Sequence, residues 1–84
     1  MYEVIVERSA EKNLKRIAVE LRPKLAAAIR PLAENPRPPG CRKLVGSDND
    51  WRIRVGNNRV IYEIADEIRI VRITKIRHRK DSYR

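Results

Sequence analysis

The chain has 84 residues, enough for one small domain whose core can hide roughly 60% of the unfolded chain's surface, and too few for two. Twenty Lys and Arg stand against eleven Asp and Glu, a formal charge of +9, and ten of the cations but only four of the acids fall in residues 51–84. A polyanion is therefore the expected partner, met by the C-terminal part, while a lone Cys41 rules out an internal disulfide and no apolar run is long enough for a signal or membrane segment, which points to the cytoplasm and to no membrane partner.

Tyr2-Glu3-Val4-Ile5-Val6-Glu7 alternates as a strand does, with Tyr2, Val4 and Val6 as the core face. Ser9 is placed as an N-cap. Leu14, Ile17, Ala18 and Leu21 then follow the i, i+3, i+4, i+7 spacing of an amphipathic helix, with Lys12, Lys15, Arg16 and Glu20 outward. Pro23 suits the first turn of a second helix through Leu25, Ala28, Ile29 and Leu32, and Pro31 should kink it or end its regular hydrogen bonding. Asn35-Pro36-Arg37-Pro38-Pro39-Gly40 stops it. Arg42-Lys43-Leu44-Val45 predicts a short strand and residues 46–50 a polar turn.

Trp51-Arg52-Ile53-Arg54-Val55 and Arg59-Val60-Ile61-Tyr62-Glu63-Ile64 read as a hairpin closed at Asn57-Asn58, because Asn tolerates positive φ. A loop of two or four residues puts Arg52, Arg54 and Arg59 on one face and Ile53, Val55, Val60, Tyr62 and Ile64 on the other. Ile61 breaks the pattern, and Trp51 is expected under the sheet with the apolar set. After a turn at Ala65-Asp66-Glu67, residues 68–76 form a last strand, apolar at both parities in its first half as in a strand covered on both faces. The order predicts an α+β domain: an N-terminal strand, a helical hairpin on one sheet face, then a three- to four-stranded antiparallel sheet whose other face stays partly open.

Three guanidiniums on one surface suit closely spaced anionic oxygens, since each is a fixed fork of donors that stays charged. The tail Arg77-His78-Arg79-Lys80-Asp81-Ser82-Tyr83-Arg84 adds the types needed for RNA cleavage without a metal: attack of a ribose 2′-hydroxyl on the adjacent phosphate builds charge on the non-bridging oxygens and needs a proton acceptor and a donor. Arginine is a poor base, which leaves His78, Tyr83 and, less directly, Glu63. Each has a plainer reading: strand arginines as a solvated face, the tail as a nonspecific polyanion binder, Cys41 as a loop or core thiol. His78 has no metal-ligand spacing around it, and neither a metal nor a cofactor is expected.

Leu32-Ala33-Glu34-Asn35-Pro36, Lys43-Leu44, Arg52-Ile53-Arg54-Val55-Gly56 with Arg59-Val60-Ile61-Tyr62-Glu63-Ile64, and His78-Arg79-Lys80-Asp81-Ser82-Tyr83-Arg84, in that order, resemble the RelE/ParE superfamily of toxins from type II toxin–antitoxin pairs. The resemblance covers nearly the whole chain. In its RelE branch it implies a microRNase fold and a messenger RNA endoribonuclease acting in the ribosomal A site and neutralised by a cognate antitoxin. It implies that Arg52 and Arg54 orient or deprotonate the 2′-hydroxyl, that Arg59 holds the scissile phosphate, that Arg79 (Arg77 in a shifted alignment) completes the clamp, and that Tyr83 stacks on a base. Arginine replaces the lysines often found at positions 52 and 54, which makes His78 a substitute base. A ParE-like gyrase inhibitor and a nucleic-acid-binding module without chemistry are the alternatives.

Overall fold

The computed structural model describes residues 1–78. Seven regular elements follow in order: β1 (Glu3–Val6), α1 (Arg8–Lys15), α2 (Arg22–Ile29), β2 (Arg42–Lys43), β3 (Asp50–Val55), β4 (Asn58–Ala65) and β5 (Ile70–His78). The strands form one sheet in the order β1-β5-β4-β3-β2. β2 to β5 make the expected antiparallel meander, and β1 joins it as a fifth strand parallel to β5, so the sheet is mixed.

Val4 and Val6 pair with the fully buried Val71 and Ile73 on the helix face, as their alternation predicts, while Ile5 turns outward beside Arg72. Ala10, Leu25, Ile29 and Leu32 pack from the helical layer onto Ile53, Val60, Tyr62, Ile64, Val71, Ile73 and Ile76 of the sheet, and Trp51 and Val55 pack against this core. Tyr62 is wholly buried, and its hydroxyl donates to the Pro36 carbonyl at 2.7 Å, which satisfies the one polar atom the ring brings inside.

The first helix is shorter than its apolar spacing predicts. It stops at Lys15, and Ala18 is extended (φ −52°, ψ 136°) before a 3-10 turn at Val19–Leu21. Arg22 takes up the loose end: its guanidinium donates to the Lys15 and Ile17 carbonyls, each at 3.3 Å. Pro23 lies in the first turn of α2 and Pro31 converts its end to a 3-10 turn over Arg30–Ala33, both as expected.

Ser9 is not the N-cap. That position is Glu7, without a side-chain cap, and the Ser9 hydroxyl instead donates to the Thr74 carbonyl at 2.7 Å. The reason lies in β5. β1 leaves the sheet at Glu7, whose N–H donates to Ile73, and beyond that point the edge of β5 is bare. α1 covers it with two side chains one turn apart: Ser9 on Thr74, and Asn13, whose Oδ1 accepts the Ile76 N–H at 3.0 Å.

Thr74 is a β-bulge. Ile61 pairs with Lys75 and Tyr62 with Ile73, so Thr74 has no partner, and its hydroxyl donates back to the Ile61 carbonyl at 3.2 Å. The extra residue shifts the core face of β5 from Val71 and Ile73 to Ile76. The apolar residues at both parities do not record a strand covered on both sides: Ile68 is exposed in the turn before β5, Ile70 pairs with Ala65 on the outward face, and that face goes on to carry Arg72, Lys75 and Arg77. Among the described residues nothing covers that face of the sheet, as expected.

Candidate active site on the open sheet face

The hairpin closes through Gly56-Asn57, one residue earlier than Asn57-Asn58. Gly56 takes φ +61°, the left-handed first position of a tight hairpin turn that glycine fills without strain, which leaves Asn58 free to begin β4 with its side chain buried on the helix side. The loop still has two residues. Parity is preserved, and Arg52, Arg54 and Arg59 share the open face.

Residues directly opposite in an antiparallel ladder point the same way, so the register sorts this face into rows running across the strands. The row nearest the hairpin tip is Arg54, Arg59 and Arg77. The next is Arg42, Arg52, Ile61 and Lys75. The third is Asp50, Glu63 and Arg72, where Arg72 donates to Glu63 at 3.0 Å. Two rows hold six cations and no carboxylate; the third holds two carboxylates and one cation.

Arg52 sits where these charges converge. Partial burial, then the fields of Arg54, Arg59 and Arg42, lower its pKa below the ordinary guanidinium range. Among the described residues none of the six cations has a carboxylate partner, so their mutual repulsion is left for a ligand to relieve.

The bulge sets the side on which each described residue at the end of β5 lies. Continued alternation from Ile73 would point Arg77 into the core and His78 outward; with Thr74 inserted, Arg77 stands opposite Arg59, and His78 stands opposite the buried Asn58. His78 thus lines a cleft of about 520 Å³ with Asn13, Ile17, Asn58 and Ile76, which Arg77 also borders. Glu63 does share the arginine face, but it lies two rows from Arg59 and is held by Arg72. Arg79 and Tyr83 lie outside the described residues. Arg42 and Lys75 were not singled out by the sequence, because only the strand register places them beside Arg52 and Ile61. Among the described residues no group of three or more His, Cys, Asp or Glu is placed to hold a metal ion.

The sequence matches the family described as the ParE toxin of the type II toxin–antitoxin system parDE over residues 4–83. It is 31% identical to a protein named as toxin RelE1 of Methanocaldococcus jannaschii, over 99% of this chain and 96% of that one. The fold matches the RelE–RelB complex of Pyrococcus horikoshii with a TM-score of 0.81 at 24% identity, covering 93% of this chain and 94% of that chain. It matches the isolated Escherichia coli RelE toxin with a TM-score of 0.80 at 21% identity, covering 93% and 84%.

Proposed function

The chain belongs to the RelE/ParE superfamily of toxins from type II toxin–antitoxin systems, and on that premise we propose that it is a ribosome-dependent messenger RNA endoribonuclease that stops translation. The observation that carries this reading is the row Arg54, Arg59 and Arg77, three guanidiniums on adjacent strands on the sheet face away from the helices.

In the proposed reaction the ribose 2′-hydroxyl gives its proton to solvent water as its oxygen bonds to the neighbouring phosphorus, and the bond from phosphorus to the 5′-oxygen breaks as that oxygen takes a proton from water, leaving a 2′,3′-cyclic phosphate and a 5′-hydroxyl. Arg59 and Arg77 donate to the non-bridging oxygens, where charge grows as the phosphorus becomes five-coordinate. Arg52 and Arg54 orient the attacking hydroxyl. Arg79 extends the clamp and Tyr83 stacks on a substrate base, holding the attack in line. His78 faces the helix side and is not assigned the 2′ proton. The energy comes from preorganised charge: the arginines are already crowded before substrate arrives, so no reorganisation is needed when the transition state forms.

A cognate antitoxin partner is proposed from the RelB chain bound to the Pyrococcus horikoshii relative, and the basic face suits an acidic segment. Ribosomes and messenger RNA place the action in the cytoplasm, and no helix among the described residues is long and apolar enough to cross a membrane. Expression without antitoxin, followed by incorporation of labelled precursors, tests the reading. Amino-acid incorporation is expected to stop first; an earlier halt in DNA synthesis, with cleaved DNA trapped on gyrase, would assign the ParE-like activity instead.

A further inference from the structure

In the second row of the open face only Arg52 has a role in the chemistry above, yet the row is as basic as the first. Arg42, Arg52 and Lys75 surround Ile61, the residue that breaks the hairpin's polar pattern. Arg42 and Lys75 are exposed and Ile61 is half-buried, so the row presents cations at both ends and an apolar floor between them. Same-face residues two apart along a strand are about 6.7 Å apart, close to one extended nucleotide of RNA backbone. The third row reverses the sign, since Asp50 and Glu63 outnumber Arg72.

We propose that Arg42, Arg52 and Lys75 around Ile61 form a second phosphodiester subsite, one linkage from the scissile one, so that the sheet grips two successive phosphates of single-stranded RNA and no third. The inference rests on the endoribonuclease reading of the first row and adds to it. A phosphate in the second row is held from both sides by point charge and fork, while the intervening ribose lies over the Ile61 side chain. The carboxylates of the third row repel a further phosphate, so the RNA must turn off the sheet there. The grip therefore sets where along the strand the scissile linkage falls.

The test uses 2′-O-methyl oligouridylates, which cannot be cleaved, in titrations at low salt with the full chain. Three trinucleotides carry two, one or no charged linkages, the others being neutral methylphosphonates, and a tetranucleotide carries three. Neutralising one linkage is expected to weaken binding to the wild-type protein about tenfold, as loss of a charge-assisted contact does. The Arg42→Ala, Lys75→Ala double variant should bind the doubly and singly charged trinucleotides within about twofold of each other, and the third charge of the tetranucleotide should add nothing beyond about twofold in the wild type. An undiminished tenfold effect in the double variant would overturn the subsite, as would no effect in the wild type while Arg59→Ala still weakens binding. If the uncharged trinucleotide bound the wild type as tightly as the doubly charged one, the phosphate reading of the first row would fall too. An oligoglutamate peptide of equal charge that matched the trinucleotide and lost affinity in the double variant would assign the row to an acidic protein segment and overturn an RNA subsite.

Discussion

Arg69 is the one non-glycine residue with positive φ among the described residues, at +53°, and it sits there because its N–H and carbonyl close the turn onto Asp66 and Glu3. Arg69→Gly should relieve that strain and stabilise the fold by about 1 kcal/mol in urea unfolding, without touching the open face. At the same end of the molecule Arg37 donates to both oxygens of Asp66, at 3.2 and 2.8 Å, the Tyr2 hydroxyl donates to Asp66 at 2.6 Å, and the guanidinium lies 5.0 Å from the Trp51 ring centre. The hydrogen bonds from Arg37 and then Tyr2 lower the Asp66 carboxyl from its usual 3.8 to about 2. A carboxyl depressed on folding contributes stability that is present above its unfolded pKa and lost as pH falls through the folded one. Asp66→Asn should therefore flatten the decline in stability between pH 3.8 and about 2, measured by unfolding midpoints across that range. At the site, His78→Ala should keep cleavage within about threefold, whereas loss of a general base costs roughly a hundredfold or more; a loss of that size would return His78 to the chemistry.

The elements were legible where a periodicity belongs to one strand or helix and hidden where two must be compared. Alternation in Arg52 to Val55 and Arg59 to Ile64 gave the two faces of the hairpin, and a one-residue error in the turn left them intact because the loop length kept its parity. Pro23 and Pro31 act on their own backbone and were read correctly. The bulge at Thr74 was not, since an unpaired residue has no signature beyond the blurred alternation that burial on both faces also produces. The side of the sheet on which His78 lies follows from that one residue, whereas the covered strand is suggested by Ile68 and Ile70, which precede it, and Ser9 is drawn from its cap by the bare edge of β5. The parallel pairing of β1 with β5 joins residues more than sixty positions apart, and the rows that bring Arg42 and Lys75 together depend on pairings no local window contains. The tie between α1 and the bulge can be tested directly. Ser9→Ala should cost about 1 kcal/mol, and Asn13→Ala, which strips the Ile76 N–H of its acceptor, about 1–3 kcal/mol, both read as shifts in urea midpoint at unchanged slope.

At the scale of the whole molecule, apolar packing and charge are divided between the two faces of one sheet. The helix side holds the core, where Ile53→Ala should cost about 2–5 kcal/mol through the cavity it leaves. The open side holds cations whose crowding opposes folding slightly and favours any polyanion, so affinity for RNA or for an acidic antitoxin should fall as salt rises. Because the two faces are separate, function can be removed without removing the fold, and that separation is what the account claims. Its most direct test is a reconstituted translation system with primer extension on the programmed messenger, comparing wild type, Arg59→Ala and Ile53→Ala at matched concentrations and with unfolding measured on the same samples. The wild type should cut messenger only when ribosomes are present, and Arg59→Ala should lose roughly a hundredfold or more in rate while its stability stays within about 0.5 kcal/mol, with Ile53→Ala showing the reverse balance. Intact messenger with the wild-type protein, or an unfolded Arg59→Ala beside a fully stable Ile53→Ala, would contradict it.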